Sequence, residues 1–128
     1  MRTRKILRNT VPQFSKHLSE PWFTHIKNGT KTAEGRLNNG VFAQMQVGDV
    51  VEWYNNSNKQ IKKCLTRITH INHYRTFYDM IRAERLMHTL PERNIRTIQQ
   101  GVDDVYYKYY SPEDEKKYGV VAIQIEVI

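Results

Sequence analysis

The sequence predicts an α+β domain, a small mixed β pseudo-barrel flanked by short helices. Three observations carry that expectation. Residues 60–71 and 120–128 read as strands, the second with Val121, Ile123, Ile125 and Val127 on one face. Turn-forming runs, Asn38-Asn39-Gly40 and Asn55-Asn56-Ser57-Asn58, punctuate the strand-like segments. The helical segments between them are short and broken by Gly29, Pro91 and Pro112. Several short strands with helices between and around them fit a small barrel whose ends are covered by helices.

Each element has a local reason. Ser19 is a good N-cap, with Glu20 and Pro21 in the first turn of a short helix. Trp22, Phe23 and Ile26 give that helix an apolar stripe, and Gly29 suits its C-terminal cap. A strand is expected over 31–37. Val47-Gly48-Asp49 turns into another over 50–54. The return strand, over 60–71, sets Leu65, Arg67, Thr69 and Ile71 on one face and Ile68 and His70 on the other. Phe77, Met80, Ile81 and Leu86 have helical spacing, and Leu90 and Ile95 carry the apolar trace past Pro91. Val102, Val105, Tyr106 and Tyr109 are spaced for another helix. Ser111-Pro112-Glu113-Asp114 supplies a cap, a proline at the first helical position and acids at the positive dipole end. The last strand, over 120–128, puts Val121, Ile123, Ile125 and Val127 on one face.

The 128 residues suffice for one domain with a real core. No run approaches the roughly 18 apolar residues of a membrane span, and the N-terminus lacks the apolar stretch of a secretory signal. Cys64 is the single cysteine, so neither an intrachain disulfide nor a cysteine zinc cluster can form. A reducing, cytoplasmic setting is the simplest expectation. Cys64 lies mid-strand without a nearby histidine, which suits a small buried apolar role better than a nucleophile. His70 and His73, three apart, lack the partners of a metal site, and neither a phosphate loop nor a Gly-x-Ser-x-Gly is present. No cofactor is called for.

Charge is unevenly placed. Arg2, Arg4, Lys5, Arg8 and Lys16 stand before the first acid, Glu20, and account for most of the net charge of +7. Residues 1–17 therefore read as a basic arm and residues 18–128 as a nearly charge-balanced domain. Such an arm attracts polyanions through phosphate contacts and counterion release. A solvated tail and an organelle presequence are its alternatives.

The chemistry concentrates in Gly29-Thr30-Lys31-Thr32-Ala33-Glu34-Gly35-Arg36. In an extended chain Thr32, Glu34 and Arg36 share a face. Lys31 has the opposite parity, but its long stem can swing from the turn toward the same cleft. A carboxylate beside two cations binds a polar planar ligand, or tunes a lysine for proton transfer. On an arbitrary strand a Glu-x-Arg pair is more often a solvated surface pair. Here the spacing Gly-x-Lys-x-x-Glu-x-Arg resembles the signature of the ASCH family, which is related to the PUA RNA-binding domains. Arg36-Leu37-Asn38 is similar to the motif's continuation. Val47 to Trp53 resembles the family's following turn and strand, and Tyr109-Tyr110-Ser111 and Lys117 to Ile123 resemble its closing helix and last strand.

The resemblance implies a PUA-like pseudo-barrel over about 18–127 and a role in nucleic-acid metabolism. RNA, or a modified nucleoside derived from it, is the implied partner. Lys31 and Glu34 are then the candidate catalytic pair, and Gly29, Thr32, Arg36, Asn38, Tyr74 and Tyr110 the candidate binding residues. Tyr106, Tyr107, Tyr109 and Tyr110 form a pool of aromatic faces that can stack on unpaired bases, although a tyrosine at helical spacing is more often packing. A binding domain is the first reading. The resemblance also admits a small amidohydrolase acting on N4-acetylcytidine, whose catalytic lysine matches Lys31 and whose motif arginine matches Arg36. Those enzymes carry a threonine where this chain has Glu34. A ribonuclease using Lys31 and Glu34, and an accessory domain for a protein partner, complete the set.

Overall fold

The computed structural model describes residues 11–128. Arg2, Arg4, Lys5 and Arg8 of the basic arm lie outside the described residues. The chain runs through β1 (Phe14–His17), α1 (Trp22–Lys27), β2 (Ala33–Leu37), a 3-10 turn (Gly40–Ala43), β3 (Val50–Asn55) and β4 (Lys62–Tyr74). It continues through α2 (Phe77–Glu84), α3 (Leu86–Thr89), α4 (Ile98–Gly101), a π-helical turn (Val102–Tyr106), α5 (Tyr107–Tyr109), α6 (Pro112–Tyr118) and β5 (Val120–Val127).

The strands form one mixed sheet in the order β1-β3-β4-β5-β2. β1 runs parallel to β3, and the other pairs are antiparallel. β5, last in sequence, inserts between β4 and β2, and its Val120, Val121, Ala122 and Ile123 are all fully buried. That continuous burial goes beyond the single apolar face expected of Val121, Ile123, Ile125 and Val127, because helices pack over one face while the curled sheet closes on the other. The two edge strands approach each other: Arg36 of β2 donates from Nη2 to the carbonyl of His17 in β1 at 3.1 Å. The sheet is thus a half-barrel with its seam between β1 and β2, an α+β architecture with several short helices, as expected.

The long strand β4 changes its inward parity partway along. Cys64, Thr66 and Ile68 face the core, not the parity of Leu65 and Arg67. Thr66 is fixed inward because its hydroxyl accepts from Trp53 Nε1 at 2.9 Å and donates to the Val51 carbonyl. A register shift between Ile68 and His70 then reverses the facing, which returns Ile71 to the core side. Residues 14–17, assigned in sequence to the arm, are strand β1, tied to β3 through backbone bonds on both flanks. Ser19 is not the cap of α1. Pro21 occupies that position, and the carboxylate of Glu20 takes the Thr24 amide at 2.9 Å instead. Helix α2 stops at Glu84 because Arg85 adopts a left-handed φ of +84°, so Leu86 begins a separate turn. Ser111 caps α6 as expected, accepting from the Asp114 amide at 3.1 Å.

Candidate functional site

The seam is where the motif sits. Gly29, at φ +77°, turns the chain out of α1, and the amides of Thr30 and Lys31 both bond the His25 carbonyl. β2 then starts at Ala33. Its pleat places Glu34 and Arg36 on one face, and Arg36 Nε meets Glu34 Oε2 at 2.8 Å. Lys31, outside the strand, swings back over it until Nζ lies 3.2 Å from Glu34 Oε1. The same ammonium donates to the carbonyls of Ala33 at 2.7 Å and Thr89 at 2.5 Å. Three donors meet three acceptors. Lys31 is 2% and Glu34 6% exposed, so the cation–carboxylate–cation row is almost wholly buried.

Aromatic rings hold the row in place. The Arg36 guanidinium lies 4.7 Å from the Phe42 ring and 5.7 Å from Trp53, and Lys31 Nζ lies 5.8 Å from Trp22. Above it opens a cleft of about 210 Å³. His17, Leu18 and Ser19 line it from the end of β1, Trp22 from α1, and Val105, Tyr106, Tyr109 and Tyr110 from the helical wall. Tyr106 and Tyr110 both stack on Phe77, at 4.3 and 5.3 Å between ring centres. Tyr109 stands 64% exposed at the rim.

The ionisation of the row follows from its burial and its neighbours. Burial pushes Glu34 up, but Lys31 and Arg36 together outweigh it and hold the carboxyl below its ordinary range. Burial pulls Lys31 down, against the opposing pull of Glu34. Arg36 is raised, because the Glu34 charge overcomes desolvation. Burial raises the phenols of Tyr106 and Tyr110, so both remain neutral hydroxyls at ordinary pH. The site therefore presents a fixed carboxylate, a half-used guanidinium, neutral phenols and stacking faces.

Of the residues singled out in sequence, the structure brings Lys31, Glu34, Arg36, Tyr106, Tyr109 and Tyr110 into this cleft. It places the others elsewhere. Gly29 and Thr32 border a separate hollow beside Ile125 and Val127. Thr32 precedes β2, and its amide and carbonyl are spent on His88 and Ile125, so the strand parity does not extend to it. Asn38 follows β2, where its amide bonds the Gly119 carbonyl. Tyr74 ends β4 and donates its hydroxyl to Glu84, which also accepts from Asn72 and Gln124. His17, Trp22 and the Thr89 carbonyl escaped the sequence reading. Trp22 was visible only as part of an apolar stripe, and no sequence signal marks a backbone carbonyl as a ligand for a lysine.

A family model described as the ASCH domain matches residues 17–128. No curated protein matches. Among solved structures, the hypothetical protein PH0355 is 34% identical with a TM-score of 0.78, over 90% of this chain and 98% of that one. Protein PF0455 from Pyrococcus furiosus is also 34% identical, with a TM-score of 0.71 over 90% of this chain and 96% of that one. A mutant of ZmASCH from Zymomonas mobilis shares the fold at 13% identity and a TM-score of 0.60, over 92% of this chain and 74% of that one.

Proposed function

Given that the chain belongs to the ASCH family, we propose that it binds RNA, or a nucleoside derived from RNA, in the cleft at the barrel seam. One observation carries the reading: a carboxylate pinned between two basic side chains on the floor of an aromatic-walled cleft. A base inserted there meets Glu34 as a fixed acceptor for its N–H groups. Trp22, Tyr109 and Tyr110 offer faces for stacking, and the guanidinium N–H groups of Arg36 not taken by Glu34, His17 and Tyr110 remain for a base carbonyl. The test is titration of a single-stranded oligoribonucleotide and of ribonucleosides against wild type and Arg36→Lys. Lysine keeps the charge but loses the planar fork that reaches Glu34, the His17 carbonyl and a ligand in separate directions. Binding is expected to weaken by about 1–3 kcal/mol, the range for a charged hydrogen bond. Equal dissociation constants sink the reading.

The burial of Lys31 favours a second reading, hydrolysis. A desolvated lysine with a lowered pKa is the form in which an amine attacks a carbonyl or takes a proton. Glu34 supplies the carboxylate, and the substrate is an N4-acylated cytidine or a phosphodiester. The hydrogen bonds weigh against it. All three N–H bonds of Lys31 are engaged, so its lone pair becomes available only when an ammonium proton leaves and the bond to Ala33, Thr89 or Glu34 breaks.

A further inference from the structure

Among the described residues, the hydroxyl of Tyr106 is the only buried side-chain polar atom with no hydrogen-bond partner. The protein goes to some length to put it there. Tyr106 closes the π-helical turn, where one extra residue per turn rotates the helix relative to its α-helical course. Its ring lies flat on Phe77, 7° from parallel, which fixes the direction of the phenol. The hydroxyl comes to rest over Gly35, the residue between Glu34 and Arg36. A Cβ at Gly35 would stand 3.2 Å from it and 2.5 Å from Met80 Sδ. Phenylalanine would make the same stack without burying an unpaired hydroxyl, a group that is costly to leave unsatisfied.

We propose that the Tyr106 hydroxyl reads the ligand. It pairs with the hydrogen-bonding group adjacent to the N–H that Glu34 accepts, so the cleft floor takes the edge of a neutral planar ring, a nucleobase, and leaves the phosphate outside. This deepens the RNA or nucleoside reading above and rests on it. The charges on the floor agree. Lys31 has no N–H left for an anion, Arg36 already gives Nε and Nη2 to protein acceptors, and the ionised Glu34 repels a phosphate. A ring edge with a donor beside an acceptor matches a carboxylate beside a neutral hydroxyl. The hydroxyl is closed to solvent in the free chain, so the ring edge reaches it as the side chains above it part. The new hydrogen bond offsets that opening.

Tyr106→Phe tests this with two readouts that move in opposite directions. Its melting temperature is expected to rise by about 2–4 °C, because an unpaired hydroxyl is removed from the interior. Its affinity for the tightest of the four ribonucleosides, measured by calorimetry, is expected to fall roughly tenfold. Inorganic phosphate alone should not compete. Unchanged nucleoside affinity in the variant overturns the role of Tyr106 and leaves the cleft as a nucleoside site. Phosphate binding without any nucleoside binding overturns the cleft reading as well. Should the variant fail to fold, the Tyr106 ring-carbon resonance of tyrosine-labelled wild type carries the same test: it must shift on saturation with the nucleoside, and an unmoved resonance overturns the proposal.

Discussion

Lys31 and Glu34 have opposite strand parity, yet they meet at 3.2 Å with both side chains buried. The contact exists because Lys31 sits just before β2, where the chain has not yet entered the pleat. Neither side chain can be removed alone without leaving a charge in the interior. For Glu34→Gln the expected loss is about 3 kcal/mol at neutral pH, since Lys31 and Arg36 then face each other without their shared carboxylate. Denaturant unfolding of the two proteins at pH 7 measures it.

The same carboxylate sets an acid limb. The pKa of Glu34 is held below its ordinary 4.5 in the folded chain. Its contribution to stability is therefore fully present above that value. As pH falls below it, the unfolded chain takes up a proton that the folded chain does not, and stability drops until the folded pKa is passed. Denaturant midpoints measured between pH 6 and pH 3 should decline less steeply in Glu34→Gln than in wild type. Parallel curves in the two proteins would place Glu34 outside any such linkage.

Gly35 carries the closest approach in the site. Its missing Cβ leaves room for Met80 Sδ, which an alanine methyl would meet at 2.5 Å. Met80 is itself fully buried, so its flexible end has little space to retreat. Gly35→Ala should cost about 1–3 kcal/mol by overpacking. Met80→Ala made in the same background should recover part of it, a coupling that a double-mutant cycle reads directly. Additive losses would mean that the methyl is accommodated some other way.

The legible parts of this protein were those in which local chemistry decides. Ser111-Pro112 starts a helix whatever surrounds it, and Glu34 and Arg36 share a face because a strand alternates. The inward face of β4 was not legible, because Leu65 and Ile71 lie on one parity and Ile68 on the other. What turns Thr66 inward is a hydrogen bond to Trp53, and what restores Ile71 is a bulge, both products of tertiary pairing. The far wall of the cleft was legible only as a cluster of tyrosines. Their orientation comes from the π-helical turn and the stack on Phe77, neither of which has a sequence period. Thr32, Asn38 and Tyr74 looked adjacent to the motif in sequence or by resemblance, but the chain leaves the seam on both sides of β2.

The arm is a matter of charge alone, because its first ten residues lie outside the described residues. Deleting residues 1–8 removes Arg2, Arg4, Lys5 and Arg8. If they reach phosphates, the slope of log affinity for single-stranded RNA against log salt should become shallower by about 0.7 for each phosphate they neutralise. An affinity and slope equal to those of the full chain would make the arm a solvated tail.

Catalysis and binding part most clearly at Lys31. Its ammonium gives one hydrogen bond to a carboxylate and two to carbonyls, the arrangement of a group that holds Glu34 in place rather than one poised to attack. On that view wild type releases no product from N4-acetylcytidine or from a single-stranded oligoribonucleotide. Lys31→Ala then lowers ligand affinity and the melting temperature together, because Glu34 is deprived of a partner and two buried carbonyls of their donor. A nucleophile or base would leave a different trace. Wild type would turn over one of the substrates, and a folded Lys31→Ala would bind it through Arg36 and the aromatic wall without converting it. Chromatographic detection of cytidine or of shortened RNA, read beside a binding titration of the same variant, separates the two. Product from wild type that disappears in a folded, ligand-competent Lys31→Ala would move Lys31 from the frame of the site to its chemistry.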